Sequence, residues 1–592
     1  MHRFQTYSNI LGAIAFIAAI LCIVSQILFV GLEHEPSDLL FLRRVIRISQ
    51  IIFISKVLFD LVFRFRQTIK HTKFIKWIAD ISILLTLPSL VYSCPEKPWI
   101  PWLCQILYDQ RIILAIVGLY AVIDFCYGII RTLSRRVNPT FMLATSFLFF
   151  IIVGSFILMM PRCTVNGISY IDSLFVSTSA VCITGLSSVD VAATFTPFGL
   201  LVLSLLMQVG GLGVMTFTSF FALFFSGNTS VYSQLVVKDM IYSKTINSLL
   251  PTLLYILLFT LTVEAIGAVA IFMCIHGTLD MSFKDEIIFS AFHAMSAFCN
   301  AGFSNIEGGL SNPALLNSNQ IFYLVASGLI FLGSIGFPLL VNFKTILFNY
   351  VRRFWHWLIH RRRIGEPIHV YDMNTKVVLL TTLTIFGVSS LLFFIFEYQN
   401  TLADLSLYEK IVQSIFNSFV PRSSGFASLN PNNFLNITII MMIVLMWVGG
   451  ASQSTAGGVK VNTIAIMFLQ LKSVIRGQSQ VVAYNRIVSN ESVRRANAVI
   501  ALSIIGYIFF SLILIALEPG VSVKALLFES ASALFTVGSS LGVTASLTVP
   551  SKVLLSVAMF LGRVGLLSLL IGFFEHQGES PLRHPVDNVI IN

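Results

Sequence analysis

Apolar runs of about 20 residues recur along this chain, and they restrict its folding more than any other feature. One such run is long enough to cross the ~30 Å hydrocarbon core of a bilayer as a helix. The runs fall near 10–31, 45–63, 75–93, 111–131, 140–160, 198–224, 249–275, 319–345, 376–397, 433–470, 497–517 and 550–573. Only 11% of the 592 residues are charged, against about 25% in soluble domains. The sequence therefore predicts an all-α polytopic membrane protein with about 12 transmembrane helices. The run from Leu11 to Val30 lacks a small-residue cleavage site after it and reads as a retained helix, not a signal peptide.

Charge orients the helices. The net charge of +11 sits in short connections, so the positive-inside bias explains it without nucleic acid. Arg64, Arg66, Lys70, Lys73 and Lys76 follow the second run, and Arg131, Arg135 and Arg136 follow the fourth. Arg352, Arg353 and Arg361–Arg363 follow the eighth; Lys472, Arg476, Arg486, Arg494 and Arg495 follow the tenth. Loops at alternate crossings are thus basic, which places them and both termini in the cytoplasm. Arg43, Arg44 and Arg47 run against this pattern and read as interfacial arginines at a helix end. A voltage sensor would continue the basic residues at three-residue spacing through the span, and here that spacing lapses after Arg47. Eight cysteines lack metal-ligand spacing; Cys94 and Cys104 are compatible with an external disulfide or with free thiols.

After residue 136 one design occurs four times: apolar helix, short amphiphilic run, glycine-centred loop, apolar helix. The loop glycines Gly185, Gly302, Gly425 and Gly538 are 117, 123 and 113 residues apart. A second glycine cluster follows each: Gly210–Gly213, Gly333–Gly336, Gly449–Ser452 and Gly562–Gly565. The preceding runs, Ile171–Ala180, Ile287–Ala297, Tyr408–Phe419 and Leu526–Leu534, are too short to span alone and predict four pore half-helices. Irregular backbone at membrane depth is tolerated only where it is buried in protein or lines a wet cavity. Four units around one axis supply that cavity, with the negative ends of the half-helix dipoles aimed at its centre. Glycine there permits the angles that turn carbonyls inward, and a ring of carbonyls can replace the hydration shell of a potassium ion.

Ser179-Ala-Val-Cys-Ile-Thr-Gly-Leu186, Ala297-Phe-Cys-Asn-Ala-Gly-Phe303, Pro421-Arg-Ser-Ser-Gly-Phe426 and Gly450-Ala-Ser-Gln-Ser-Thr-Ala-Gly-Gly-Val-Lys460 resemble the Trk/Ktr/HKT superfamily of potassium transporters. The bacterial Trk/Ktr membrane subunit fits best, and the tail Leu582–Ile591 is similar to that subunit's. The resemblance covers residue 138 to the end. It implies a potassium-binding filter of Ile183, Thr184, Gly185, Asn300, Ala301, Gly302, Ser423, Ser424, Gly425, Thr536, Val537 and Gly538, with potassium as the transported substrate. It implies a homodimer in the bacterial cytoplasmic membrane and a separate cytoplasmic nucleotide-binding regulatory subunit. This chain has no Gly-x-Gly-x-x-Gly motif and is expected to hold no organic cofactor. The implied units are an N-terminal extension (1–136) and pore repeats at 137–235, 236–365, 366–490 and 491–592.

The third repeat departs from the others because Gly449, Gly450, Ser454, Thr455, Gly457 and Gly458 break its second helix. In the family this matches an intramembrane loop that obstructs the pore. Lys460 and Arg563 are basic groups at membrane depth, read either as parts of that gate or, respectively, as a snorkelling lysine and a cap for loop carbonyls. Glu529, read as beginning the fourth pore helix, would either concentrate cations at the outer mouth or complement the helix dipole. Asp172 reads as a helix N-cap, Arg422 as a brace for its pore loop, and His293 as a packed residue, not a metal ligand. His356, His360 and Arg361–Arg363 would meet lipid headgroups or the regulatory partner. The alternative activity is a sodium- or proton-coupled potassium symporter of the same fold, for which Asp124 and Glu264 are the candidate acids. No HExxH motif or acid–base constellation points to an enzyme.

Overall fold

The computed structural model describes residues 2–32, 36–63, 74–91, 107–133, 139–213, 249–279, 281–337, 339–340, 342–343, 352–353 and 373–573. Cys94, Cys104, Arg64–Lys73, Arg135, Arg136, His356, His360, Arg361–Arg363 and the 582–591 tail lie outside these residues. So do three of the four expected boundaries; the fourth, at 490/491, falls where a helix begins.

Helices α1 (His2–Gly31), α2 (Pro36–Phe63), α3 (Phe74–Leu85) and α4 (Gln110–Leu133) form an N-terminal group. The first repeat comprises α5 (Pro139–Leu158), the half-helix α6 (Tyr170–Val181) and α7 (Pro197–Leu212). The second has α8 (Leu249–Ile275), α9 (Phe283–Cys299) and α10 (Gln320–Ser334). The third has α11 (Met373–Glu397), α12 (Leu407–Phe419), α13 (Asn436–Trp447) and α14 (Val461–Ile475). The fourth has α15 (Asn490–Leu517), α16 (Val523–Leu534), α17 (Val549–Val564) and α18 (Leu566–Phe573). The only strands among the described residues form one short hairpin, Val482–Ala483 with Arg486–Ile487.

Within α1, α8, α11 and α15, the segments Ile10–Phe29, Leu253–Ile275, Met373–Glu397 and Asn490–Leu517 are long and apolar enough to cross a membrane by length and composition. The second helix of every repeat is shorter, and this corrects the expectation of an interruption confined to the third. Gly213 (φ 79°), Gly336 (φ 92°) and Gly565 (φ 91°) all sit in a backbone region that cannot continue a right-handed helix. In the third repeat the interruption runs from Val448 to Lys460, between α13 and α14.

Serine fixes the start of each half-helix. Ser169, Ser282, Ser406 and Ser522 are the N-caps of α6, α9, α12 and α16, each accepting from a backbone N–H one turn in. Apolar side chains gain little by leaving lipid for protein, so packing and polar contacts must hold the bundle. Each half-helix packs on the second helix of the preceding repeat: α9 on α7, α12 on α10, α16 on α13, and α6 on α17. A polar contact marks each seam. Cys299 Sγ donates to Gln208 Oε1 at 3.5 Å, Gln413 Nε2 to Gln320 Oε1 at 2.9 Å, Lys524 Nζ to Asn436 Oδ1 at 3.2 Å, and Lys552 Nζ to Asp172 Oδ1 at 2.8 Å. The last of these seams closes the ring.

In the N-terminal group, Lys56 on α2 pairs with Asp124 on α4, and Gln50 donates to Thr86 Oγ1 at 2.8 Å. Arg43, Arg44 and Arg47 are exposed, with the Arg43 guanidinium over the Phe29 ring. Cys22, Cys163, Cys182, Cys274 and Cys299 are free thiols.

Candidate ion pathway at the centre of the four repeats

The loops that follow the half-helices share one unusual backbone. Two residues before each glycine the chain enters the left-handed region, at Ile183 (φ 57°), Asn300 (φ 59°), Ser423 (φ 85°) and Thr536 (φ 49°). The glycines are left-handed too: Gly185 (φ 91°), Gly302 (φ 71°), Gly425 (φ 68°) and Gly538 (φ 99°). A β-branched residue such as Ile183 or Thr536 rarely adopts positive φ. Surrounding structure must therefore impose it, and such imposed strain clusters at functional sites.

The glycines also report how the loops face one another. A Cβ on Gly185 would collide with the carbonyl oxygen of Ala301, and one on Gly302 with that of Ser424. A Cβ on Gly425 would meet Val537 O, and one on Gly538 would meet Thr184 O, all closer than 3.0 Å. The circuit passes once through each repeat and returns to its start. The carbonyls of Thr184, Ala301, Ser424 and Val537 thus converge, and no described residue donates a hydrogen bond to them. Thr184 Oγ1, Thr536 Oγ1 and Asn300 Oδ1 are buried beside them without a partner. Buried acceptors left unpaired cost free energy, so a ring of them suits a cation.

The 449–458 loop packs against the segments that carry this ring, with Gly457 against Phe535 and Thr536. Its neck is pinched by Gly449 N–H donating to Val459 O (3.0 Å) and Gly450 N–H to Gly457 O (3.3 Å). Gly449 and Gly458 face each other there with no room for a Cβ on either. The tip is tied to other repeats. Thr455 Oγ1 receives Asn300 Nδ2 at 2.7 Å and donates towards Gly333 O at 3.0 Å. Gly457 N–H donates to Ser423 Oγ at 2.8 Å, whose hydroxyl donates to Thr536 O at 2.9 Å. Arg563 Nη1 donates to Thr455 O at 2.5 Å and its Nη2 to Gly210 O at 2.7 Å. Lys460 Nζ turns back to Ala456 O at 2.6 Å, which differs from a lysine reaching for the cytoplasm. Ser454 stays local, donating to Ala451 O at 2.7 Å.

The chain matches the TrkH model, described as a cation transport protein, over residues 128–581. It belongs to the TrkH family. Family members are ion transporters, not enzymes, and the protein is a multi-pass membrane protein. It is 31% identical to Ktr system potassium uptake protein B of Bacillus subtilis, over 76% of this chain and 96% of the relative. It is 27% identical to the potassium/sodium uptake protein NtpJ of Enterococcus hirae, over 78% of this chain and 99% of that one. The crystal structure of the potassium transporter TrkH from Vibrio parahaemolyticus superposes with a TM-score of 0.59 at 17% identity, covering 85% of this chain and 99% of that one. This likeness supports the all-α pore-loop fold. The TrkH match begins inside α4, so α1–α3 lie outside it.

Several side chains sit differently from their sequence reading. Glu529 does not begin its helix: Ser522 caps α16 earlier, which carries Glu529 to the middle and buries it completely. It therefore neither faces the outer mouth nor complements the dipole. Asp172 is not the N-cap, a place taken by Ser169; it pairs with Lys552 instead. Arg422 is 1% exposed and donates to Gly449 O at 2.9 Å, with its guanidinium 4.3 Å from the Phe386 ring centre. It thus braces the 449–458 neck, whereas the sequence reading made it a brace for its own pore loop. His293 is buried among Phe289, Phe322 and Phe426, consistent with a packed residue.

Sequence reading missed the serines six residues before three of the glycines. Ser179, Ser296 and Ser532 each accept, through their carbonyls, the N–H of Thr184, Ala301 and Val537 at 2.8 Å. Their hydroxyls also hold the loops, by bonds with Gly185 N–H, Phe303 O and Gly538 N–H. The fixed offset of minus six was the available signal.

Proposed function

We propose that this protein takes up potassium across the cytoplasmic membrane, through the ring formed by Ile183–Gly185, Asn300–Gly302, Ser423–Gly425 and Thr536–Gly538. One observation carries the reading: the closed circuit in which each loop glycine abuts the carbonyl of the next repeat. The oxygens of Thr184, Ala301, Ser424 and Val537 are unsatisfied acceptors at a shared centre, the arrangement that replaces an ion's hydration shell. The uptake activity of the relatives named above supports potassium as the substrate. The 449–458 loop and Arg563 act as the gate. A fixed guanidinium at the mouth of a cation pathway raises a barrier to the ion, and its bond to Thr455 O couples that barrier to the loop. A separate cytoplasmic nucleotide-binding subunit displaces the loop, and the transporter works as a homodimer.

Rubidium uptake into proteoliposomes holding the purified chain tests this, with potassium or sodium as competitor. Blockage by potassium but not sodium is expected, together with weakened discrimination in Gly185→Ser. Equal competition by the two ions would remove the filter assignment.

The coupled-symport reading retains one acid. Asp124 is neutralised by Lys56, whereas Glu264 accepts from Gln208 Nε2 at 3.2 Å and pairs with no base among the described residues. Dependence of uptake on an imposed sodium or proton gradient, lost in Glu264→Gln, would favour coupling over simple conduction.

A further inference from the structure

The central ring repeats four times, but the supports behind it do not. Nine residues before the loop glycines stand Val176, His293, Phe416 and Glu529, each within its half-helix. Two residues after the glycines stand Ser187, Ser304, Ala427 and Ser540. In the second repeat His293 Nε2 is 2.8 Å from Ser304 Oγ. In the fourth, Ser540 Oγ donates to Glu529 Oε1, and Thr544 Oγ1 donates to Glu529 Oε2 at 3.1 Å. The other two repeats have no such link between the minus-nine and plus-two positions; the third instead joins Asn417 Nδ2 to Ser428 Oγ at 3.0 Å. Ser187 donates instead to Val189 O at 2.6 Å, within its own loop, and the residue that matches it in the repeat of Phe416, Ala427, has no hydroxyl.

Repeats two and four lie opposite each other in the glycine circuit. We infer that the His293–Ser304 and Glu529–Ser540/Thr544 struts fix the width of the ring along one diagonal, and so are positioning residues for discrimination between potassium and smaller cations. Each strut ties the half-helix directly to the segment that leaves the ring. Releasing it lets the carbonyl-bearing segment relax towards the shorter coordination distance a sodium ion demands. On the other diagonal the matching helix positions are the apolar Val176 and Phe416, and the third repeat is held one position along, by Asn417 and Ser428. Glu529 is fully buried with no basic partner among the described residues, and an acid retained there at such cost needs a use that a valine would not serve.

This inference rests on reading the ring as a selectivity filter. The experiment compares potassium and sodium as competitors of rubidium uptake in the full-length protein, for Ser540→Ala, Glu529→Leu, Glu529→Gln and Ser304→Ala, with Gly185→Ser alongside. Ser540→Ala and Glu529→Leu should lower the discrimination ratio about tenfold, the order expected for losing one hydrogen bond to a charged group. Glu529→Gln, whose amide can exchange bonds with two hydroxyls, should keep most of it. Combining Ser304→Ala with Ser540→Ala should lower the ratio further than either change alone. Should Glu529→Leu fail to reach the membrane, Ser540→Ala reads the same strut from the loop side. Unchanged ratios in the serine variants, with Gly185→Ser impaired, would overturn the strut and leave the filter standing. An unchanged ratio in Gly185→Ser would instead overturn the filter itself. A uniform fall in uptake of all ions at constant ratio would make Glu529 an electrostatic or structural residue only, and would also overturn the inference.

Discussion

The third repeat and the other three solve the same local problem with different partners. In repeats one, two and four the residue before the loop glycine donates to the carbonyl of the serine at minus six, each time at 2.8 Å. Those loops are fastened to their own half-helices. In the third repeat the minus-six residue is Phe419, and the N–H groups of Ser424 and Gly425 share Val420 O at 3.2 and 3.4 Å. Phe419 stacks instead on Phe386 of α11, with ring centres 3.8 Å apart. Arg422, where the others carry Cys182, Cys299 and Phe535, lies over that same ring and reaches Gly449 O. The third loop thus stays fastened to the end of α12 through Val420 O and Asn417, and adds a bond from Arg422 to the 449–458 loop. The ring is linked to the 449–458 loop from two repeats, by Arg422 in the third and by Asn300 in the second. Such an arrangement lets a movement of the loop be felt at the ring without loosening all four walls.

The most severe way to break this comparison is to remove the 449–458 loop. Replacing residues 449–458 with a short linker should raise basal rubidium flux by an order of magnitude or more, because a low-dielectric obstruction and its tethers vanish together. Flux at the wild-type level from a folded, inserted variant would remove the gate assignment. Thr455→Val is a milder version. It deletes the bonds to Asn300 and Gly333, worth about 1 kcal/mol each, while the neck survives, so basal flux should rise several-fold.

Arg422 sharpens the comparison further. Arg422→Met keeps much of the buried stem and its packing on Phe386 but cuts the link to Gly449. If the third loop is coupled to the gate, basal flux should rise while rubidium uptake stays preferentially inhibited by potassium. Loss of selectivity without a change in basal flux would make Arg422 a brace of the ring alone. Two of its nitrogens, Nε and Nη1, lack partners in the structure, so removing the charge should cost less stability than a fully bonded buried arginine would.

Much of this was legible before the structure because the decisive signals are spacings. Glycines at constant intervals located the ring, and the short amphiphilic runs located all four half-helices to within a few residues. The interruption in the third repeat was visible as a run of small and polar residues. What stayed hidden depended on geometry that residue type does not announce. Nothing about Ile183 or Thr536 suggests a left-handed backbone, since local preference points the other way and only the closed ring enforces it. A lone Gly336 or Gly565 inside a long apolar run reads as a tolerated packing residue, yet each ends a helix. Glu529 was misplaced because the cap at Ser522 lies beyond the apolar run that marked the helix, so the acid sits about two turns in.

The smallest expected effect lies at the seam that closes the bundle. Lys552 and Asp172 join the last repeat to the first at 2.8 Å, with side chains 12% and 21% exposed. Asp172→Asn removes the charge while its amide oxygen can still accept from Lys552. A partly exposed pair contributes about 1 kcal/mol or less, so the variant should lose at most a few degrees of melting temperature and retain wild-type ion discrimination. The comparison between repeats predicts this indifference. The seam joins two half-helix environments that are each fastened to their own loops through Ser179 and Ser532, so slackening it should not reach the carbonyls. A change in the potassium-to-sodium ratio in Asp172→Asn, measured by the same competition assay, would mean that the bundle around the ring is not rigid. The links of Arg422 to Gly449 and of Asn300 to Thr455 would then be two routes to the ring among others.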